Sequence, residues 1–195
     1  MTEQQPHIIV IAGPNGSGKS TTAPSLLKGT MGVTEFVNAD VIAEGLSAFH
    51  PEGAAFHAGR VMLERILLAK ERVDFAFETT LASRTFAPWI KELKQTGYIF
   101  HLVFLWLPNE EFAIARVAER VRMGGHNVPE ETIRRRYNKG MNNFFQLYMP
   151  LADTWLFYDN SVAGAPKLLA SGGREIGTSI ENRLIWKQIQ EEYND

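Results

Sequence analysis

The sequence contains no cysteine, which excludes disulfide bonds, thiolate metal sites and cysteine nucleophiles. Long apolar segments are also missing. The longest run, 102–107, is far shorter than the ~20 residues that cross a bilayer, and the polar residues 1–7 lack the apolar centre of a signal peptide. We therefore expect no membrane contact and a cytoplasmic protein.

An excess of positive charge is absent too, since the formal net charge is −2. This balance argues against nucleic acid as a partner, because phosphate backbones select strongly basic surfaces. The histidines lack the helical spacing of metal ligands. They include His50, His57, His101 and His126. We expect His101 to be a core histidine, and His126 is a candidate substrate contact. The length of 195 residues suits one α/β domain, which we predict to span 1–195.

One stretch near the N-terminus carries a strong chemical signal. The β-branched run 8–11 predicts a buried strand, GPNGSGKS at 13–20 fits the phosphate-binding P-loop, and a helix is predicted from Thr21. A glycine-rich turn with a chance lysine is the alternative, but strand, loop and helix follow in the required order. We assign nucleotide binding to Gly13, Pro14, Asn15, Gly16, Ser17, Gly18, Lys19, Ser20 and Thr21.

The residue types of this loop match the needs of a nucleoside triphosphate. Glycines let backbone N–H groups approach phosphate oxygens, and the following helix directs its positive end at the same place. Lys19 adds a full positive charge for the β- and γ-phosphates. The Ser20 hydroxyl is a suitable ligand for Mg²⁺, a cation that prefers oxygen.

Strand and helix patterns alternate along the chain, which predicts a mostly parallel sheet flanked by helices. Strands are predicted at 35–37, 74–77, 98–107 and 155–158, with two short edge strands within 167–175. Helices are predicted at 41–49, 54–72, 85–96, 110–122, 129–149 and 179–193. In such α/β folds ligands bind where parallel strands end, so polar residues that follow strands are the candidates for chemistry.

Two carboxylates follow predicted strands. Asp40 could accept the proton of a substrate hydroxyl, although a helix N-cap is an equally good interpretation. Glu78 could hold Mg²⁺ or orient a substrate, and Thr80 could bind the same ligand. A strand-end cap is the alternative for Glu78, but a carboxylate beside an apolar strand needs a partner.

A cation-rich segment lies at about 116–140, and we predict it to be a helical lid over the phosphates. Its cations are Arg116, Arg120, Arg122, Arg134, Arg135, Arg136 and Lys139. The break at 124–125 would let the lid move, and arginines would stabilise charge on the transferred phosphoryl group. A solvated charged face is the alternative, with Glu119, Glu130 and Glu131 as pairing partners. The sequence does not rank the arginines, and we select Arg120 as the catalytic candidate.

Four motifs together resemble the zeta-toxin-like P-loop kinases. These are GPNGSGKST at 13–21, NAD at 38–40, FETT at 77–80 and GGHNVPE at 124–130. The match is nearest to the compact bacterial branch often labelled predicted ABC-type ATPases. The ABC label itself finds no support, because the chain has no LSGGQ signature.

The resemblance implies a kinase that uses ATP or GTP with Mg²⁺ to phosphorylate a hydroxyl, with UDP-N-acetylglucosamine as the family's acceptor. It implies that Asp40 is the catalytic base, that Glu78 and Thr80 bind the substrate, and that Lys19 acts on the phosphates. A partner antitoxin is also implied. A polynucleotide or nucleotide kinase and a nucleotide-gated interaction protein without catalysis remain alternatives.

Overall fold

The computed structural model describes residues 5–33, 35–38, 72–162 and 164–193. Within these residues seven strands form one sheet in the order β2-β3-β1-β4-β5-β6-β7. The strands are β1 (His7–Ala12), β2 (Glu35–Val37), β3 (Phe75–Thr79), β4 (Ile99–Trp106), β5 (Thr154–Asp159), β6 (Lys167–Gly173) and β7 (Ser179–Ile180). The first five are parallel, whereas β6 and β7 are antiparallel to their neighbours. This is the α/β architecture of P-loop proteins.

Strand β1 is central and is covered on both faces. Its side chains alternate between two apolar clusters, with Ile8 and Val10 in the larger cluster and Ile9 and Ile11 in the smaller. A strand with both faces covered has no polar side to display, which explains the unbroken apolar run in the sequence. All four side chains are at most 1% exposed.

Helices pack on both faces of the sheet. They are α1 (Lys19–Pro24), which continues as a π-helical segment (Ser25–Met31), α2 (Phe86–Gln95), α3 (Glu110–Arg122), α4 (Glu130–Asn143), which continues as a second π-helical segment (Phe144–Tyr148), and α5 (Arg183–Tyr193). A single α-helical turn (Met149–Leu151) follows the second segment. Helices α2 to α5 contribute to the larger cluster, and α1 contributes Ala23 to the smaller one.

The predicted start of α3 is confirmed in detail. The side chain of Asn109 accepts a hydrogen bond from the backbone N–H of Phe112 at 2.8 Å, as an N-cap residue does. Glu110 and Glu111 occupy the first turn, where negative charge is favoured by the helix dipole.

The C-terminal prediction was wrong in two respects. The two short edge strands predicted within 167–175 are a single strand, β6, which includes Gly172 and Gly173. A Cβ atom on Gly172 would lie 2.7 Å from the indole ring of Trp155 on the adjacent strand, so glycine is needed there for close packing. The last helix begins at Arg183 rather than at residue 179, because Ser179–Ile180 forms the edge strand β7.

Several predictions lie outside the described residues. They are the helices at 41–49 and most of 54–72, His50, His57 and Asp40. None of the helices in the described part of the chain has the length and apolar character needed to cross a membrane.

A pair of histidines joins β1 to β4 at the end of β1 that lies opposite the P-loop. His7 Nδ1 and His101 Nε2 are 2.8 Å apart, and His101 Nδ1 is 2.6 Å from Thr154 Oγ1. The rings are stacked with their centroids 5.0 Å apart. Burial lowers the pKa of His101, and the positive charge of His7 lowers it further, against the opposing effects of Asp153 and Asp74. His101 is therefore a partly buried, hydrogen-bonded residue, in agreement with its sequence interpretation.

We expect the free energy of unfolding to decrease as the pH falls below about 6.5, the ordinary pKa of histidine. The folded protein binds the His101 proton less tightly than the unfolded chain does, so the stabilisation is present above this pH and is lost below it. Urea unfolding between pH 8 and pH 5 measures the effect. His101→Gln should flatten the profile. An identical slope in His101→Gln would contradict the assignment.

Candidate active site

The P-loop connects β1 to α1 and is held by its own backbone. Ser17 N–H donates to the Pro14 carbonyl at 3.2 Å, and Thr22 N–H donates to the Gly18 carbonyl at 2.9 Å. Gly18 has φ 80°, a left-handed conformation that favours glycine. Within the loop, Gly13, Pro14 and Ser17 are buried, whereas Gly16 and Gly18 line a cavity.

The side chain of Lys19 lies beneath this loop, and its ammonium group contacts the loop from within. The residue is 9% exposed, and Nζ donates to the carbonyl oxygens of Gly13 and Pro14, at 3.0 Å in each case. These bonds fix the end of a long, flexible side chain beside the cavity. The positive charge is therefore held at the position where phosphate groups would contact the loop.

Glu78 of β3 meets Ser20 of α1 at the ends of the adjacent parallel strands β1 and β3. The Ser20 hydroxyl lies 3.1 and 3.0 Å from the two carboxylate oxygens of Glu78, and Asn38 Nδ2 donates to the same hydroxyl at 3.3 Å. Glu78 is 9% exposed. Strand β3 is adjacent to β1, with Glu78 in register with Ile11, which explains why residues 58 positions apart meet.

The oxygen atoms of Ser20 and Glu78 suit Mg²⁺, which is usually bound through one or two protein oxygen ligands, water and substrate phosphates. The described residues contain no group of three or more acidic or histidine ligands, as a metal cage made of protein alone would require. The two residues therefore fit a Mg²⁺ ion that arrives with the nucleotide.

The loop that follows β3 is strained and tightly held. Leu81 is completely buried and has φ 56°, an unusual backbone conformation for a leucine. Its carbonyl accepts a hydrogen bond from Asn143 Nδ2 at 2.7 Å. Gly140 of α4 packs directly on the Thr80 carbonyl, where a Cβ atom would collide. Thr80 itself lines the cavity beside Glu78.

Three arginines from α3 and α4 also line the cavity: Arg116, Arg120 and Arg136. Arg116 donates to the Ser161 carbonyl at 2.7 Å and lies over the ring of Phe112. Arg120 donates to the His126 carbonyl at 2.7 Å, so it closes the loop that joins the two helices. The catalytic role of Arg120 stays a prediction, and this contact places its guanidinium at the cavity wall.

The other cations of this segment lie elsewhere. Arg134 pairs with Glu110 and Glu111 of α3 at 3.0 and 2.7 Å, rather than with the glutamates expected from the sequence. This hydrogen bond lowers the pKa of the Glu111 carboxyl. The remaining residues are exposed: Arg122, Arg135 and Lys139. Both helices also bury residues such as Val117 and Ile133 in the main core, so a mobile lid at 116–140 stays a prediction.

The cavity has a volume of about 630 Å³, enough for a ligand of nucleotide size. Besides the three arginines, the predicted residues that line it are Asn15, Gly16, Gly18, Lys19, Ser20, Thr21, Glu78 and Thr80. Asp40 lies outside the described residues. Phe86 and Met123 also line the cavity, and the sequence interpretation missed both because apolar side chains carry no chemical signature.

Sequence reasoning also missed Asn160, the residue that follows β5. It is 3% exposed, and its side chain contacts the P-loop at Ser17. Its position at the end of a parallel strand was the available signal.

The Zeta toxin family model matches residues 1–149. An uncharacterized protein of Haemophilus influenzae is 31% identical over 130 residues, which cover 66% of this chain and 91% of that protein.

Solved structures with similar folds include the AvrRxo1-ORF1:AvrRxo1-ORF2 complex with sulphate ions, at TM-score 0.69 and 20% identity over 96% of this chain and 64% of the other. The same complex with ATP has a TM-score of 0.68 at 19% identity, with the same two coverages. The PezAT toxin-antitoxin system of Streptococcus pneumoniae has a TM-score of 0.65 at 14% identity over 100% of this chain and 86% of the other.

The chain thus spans less than two thirds of the length of the AvrRxo1 chain. The structural likenesses concern the fold alone, whereas the family match covers the P-loop, both strand-end motifs and helices α1 to α4. The chain therefore belongs to the Zeta toxin family.

Proposed function

We propose that the protein is an ATP-dependent kinase that transfers the γ-phosphate to a hydroxyl group of a small molecule, with 1–195 as one kinase domain in the cytoplasm. The observation that carries this proposal is the contact between the Ser20 hydroxyl and the Glu78 carboxylate beside the P-loop. In P-loop proteins a serine or threonine of the loop and a nearby carboxylate hold the Mg²⁺ that accompanies the triphosphate, and phosphoryl transfer depends on that ion.

The nucleotide half of the cavity is formed by the P-loop. Backbone N–H groups of 16–20 and the Lys19 ammonium bind the phosphates, and Ser20 with Glu78 would hold Mg²⁺. The metal, when bound, neutralises charge on the β- and γ-phosphates. ATP is the preferred nucleotide in this proposal, since a protein of similar fold has been solved with ATP, and GTP is the alternative.

The acceptor half is formed by Glu78, Thr80 and the arginines that line the cavity. Asp40 removes the proton of the attacking hydroxyl. Arg120 stabilises the charge that develops on the transferred group, and closure of the lid at 116–140 excludes water. UDP-N-acetylglucosamine is the acceptor to test first, because the chain belongs to the Zeta toxin family.

A protein antitoxin is the proposed partner. PezAT, which shares the fold, is described as a toxin-antitoxin system. Such a partner would control access to the nucleotide or to the acceptor.

The test uses γ-labelled ATP, Mg²⁺ and UDP-N-acetylglucosamine, with Asp40→Asn in parallel. We expect label on the sugar nucleotide with the wild type, and a loss of about a hundredfold or more in Asp40→Asn while ATP binding is retained. Glu35→Gln, an exposed change on β2, is the control and should transfer label normally.

Each other result has a distinct meaning. Label on RNA ends instead, with a strong dependence on salt, would indicate a polynucleotide kinase. Nucleotide binding without transfer to any acceptor in a metabolite screen would contradict the kinase proposal and favour a nucleotide-gated interaction protein.

A further inference from the structure

Asn160 connects the end of β5 to the P-loop over a sequence separation of 143 residues. Its Nδ2 donates to the Ser17 carbonyl at 2.7 Å in a buried contact. The residue is 3% exposed and lies beyond the part of the chain that the family model matches. A buried amide that reaches the backbone of a ligand-binding loop fixes that loop from outside.

The contact determines the direction of one P-loop amide. The carbonyl and the N–H of a trans peptide point in opposite directions. With the Ser17 carbonyl held toward Asn160, the N–H of Gly18 points away from Asn160. Gly18 lines the cavity, and a Cβ atom on it would lie 2.9 Å from Asn160 Nδ2. The side-chain amide of Asn160 therefore packs directly against Gly18.

Asn160 is itself held on both sides. Its N–H donates to the Trp106 carbonyl at 3.0 Å, and its carbonyl accepts from Arg116 at 3.3 Å. Arg116 also binds the Ser161 carbonyl at 2.7 Å, and its Cβ lies against Gly16. The backbone at Asn160 is thus placed by β4 and α3 together, through contacts other than the one that its side chain makes with the P-loop.

We propose that Asn160 is a positioning residue for nucleotide binding: it fixes the Ser17–Gly18 peptide so that the P-loop is preformed for the β-phosphate. Asn160 acts through the loop and does not touch the ligand. The inference rests on the proposed function only in that the ligand is a nucleoside di- or triphosphate.

The first measurement needs no ligand. Hydrogen–deuterium exchange of the backbone amides in 13–20 should become several-fold faster in Asn160→Ala, roughly as expected for the loss of one buried restraint, whereas exchange in β4 stays unchanged. Asn160→Leu, which fills the same space without a donor, should act in the same way. Unchanged exchange in the P-loop of both variants would overturn the proposal.

The second measurement separates positioning from general damage. Calorimetry with Mg²⁺ should show ADP binding weakened about tenfold, as for a lost hydrogen bond of this kind, while AMP, which lacks the β-phosphate, binds as to the wild type. Asn143→Ala is the matched control, since its Nδ2 also donates to a backbone carbonyl at 2.7 Å, that of Leu81. It should leave ADP binding unchanged.

The outcomes are distinguishable. Equal losses for ADP and AMP, or an ADP affinity within about twofold of the wild type, would overturn the positioning role. A wild type that binds neither nucleotide would contradict the proposed function, and the exchange measurement would still decide whether Asn160 fixes the loop. A wild type that binds ADP but transfers no phosphate would contradict the kinase and leave the Asn160 result standing.

Discussion

Replacing Lys19 by methionine is expected to reduce phosphoryl transfer about a thousandfold, the scale seen when a preorganised charge is removed from a developing anion. Methionine keeps much of the apolar stem, so the packing under the P-loop is largely retained. The lost group is the ammonium that donates to the Gly13 and Pro14 carbonyls. The rate of label transfer from γ-labelled ATP measures the effect.

Lys28→Met is the matched control for this prediction. Lys28 is exposed and lies in the π-helical segment that continues α1, so its loss changes the net charge equally without affecting the cavity. We expect its transfer rate to equal that of the wild type. A Lys19→Met protein that is folded and still transfers label at more than a tenth of the wild-type rate would contradict the assigned role of Lys19.

The second large effect is expected for Glu78→Gln. Glutamine keeps the size of the side chain but removes the charge that faces the Ser20 hydroxyl, and an amide is a much poorer Mg²⁺ ligand than a carboxylate. We expect transfer to fall about a hundredfold and the Mg²⁺ concentration for half-maximal rate to rise. Titration of the rate with Mg²⁺ at fixed ATP gives both values.

Glu35→Gln on the neighbouring strand β2 serves as the control, because Glu35 is exposed and is in register with Phe75, at the opposite end of β3 from Glu78. It should have the wild-type Mg²⁺ requirement. If Glu78→Gln lost activity at an unchanged Mg²⁺ requirement, Glu78 would act on the acceptor and not on the metal. Full activity of Glu78→Gln would remove both roles.

The sequence predicted the P-loop well because its parts are contiguous. The strand β1, the glycines and the first turn of α1 lie within 7–24, so local pattern contains nearly all the information. The sequence also indicated that Ser20 and Glu78 could lie close together. Each residue follows or ends an apolar strand, and a parallel sheet places the ends of such strands side by side.

The local sequence pattern does not predict contacts between distant parts of the chain. The sequence alone identifies Asn160 only as a loop residue. Its contact with the P-loop depends on the position of β5, which lies two strands from β1 in the sheet. Similarly, Gly172 has the appearance of a break, and only the indole ring of Trp155 above it shows why a glycine continues the strand. The arginines could not be ranked because their roles depend on how α3 and α4 face the cavity.

The packing of Gly140 on the Thr80 carbonyl sets how closely α4 approaches the loop that follows β3. Arg136 lies one turn before Gly140, about 6 Å along the helix axis. The same helix is held by Ile133 and Tyr137 in the main core. The position of the Arg136 charge relative to Thr80 therefore depends on the absence of a side chain at Gly140, and a larger residue there would push Arg136 away from the part of the cavity that Thr80 lines.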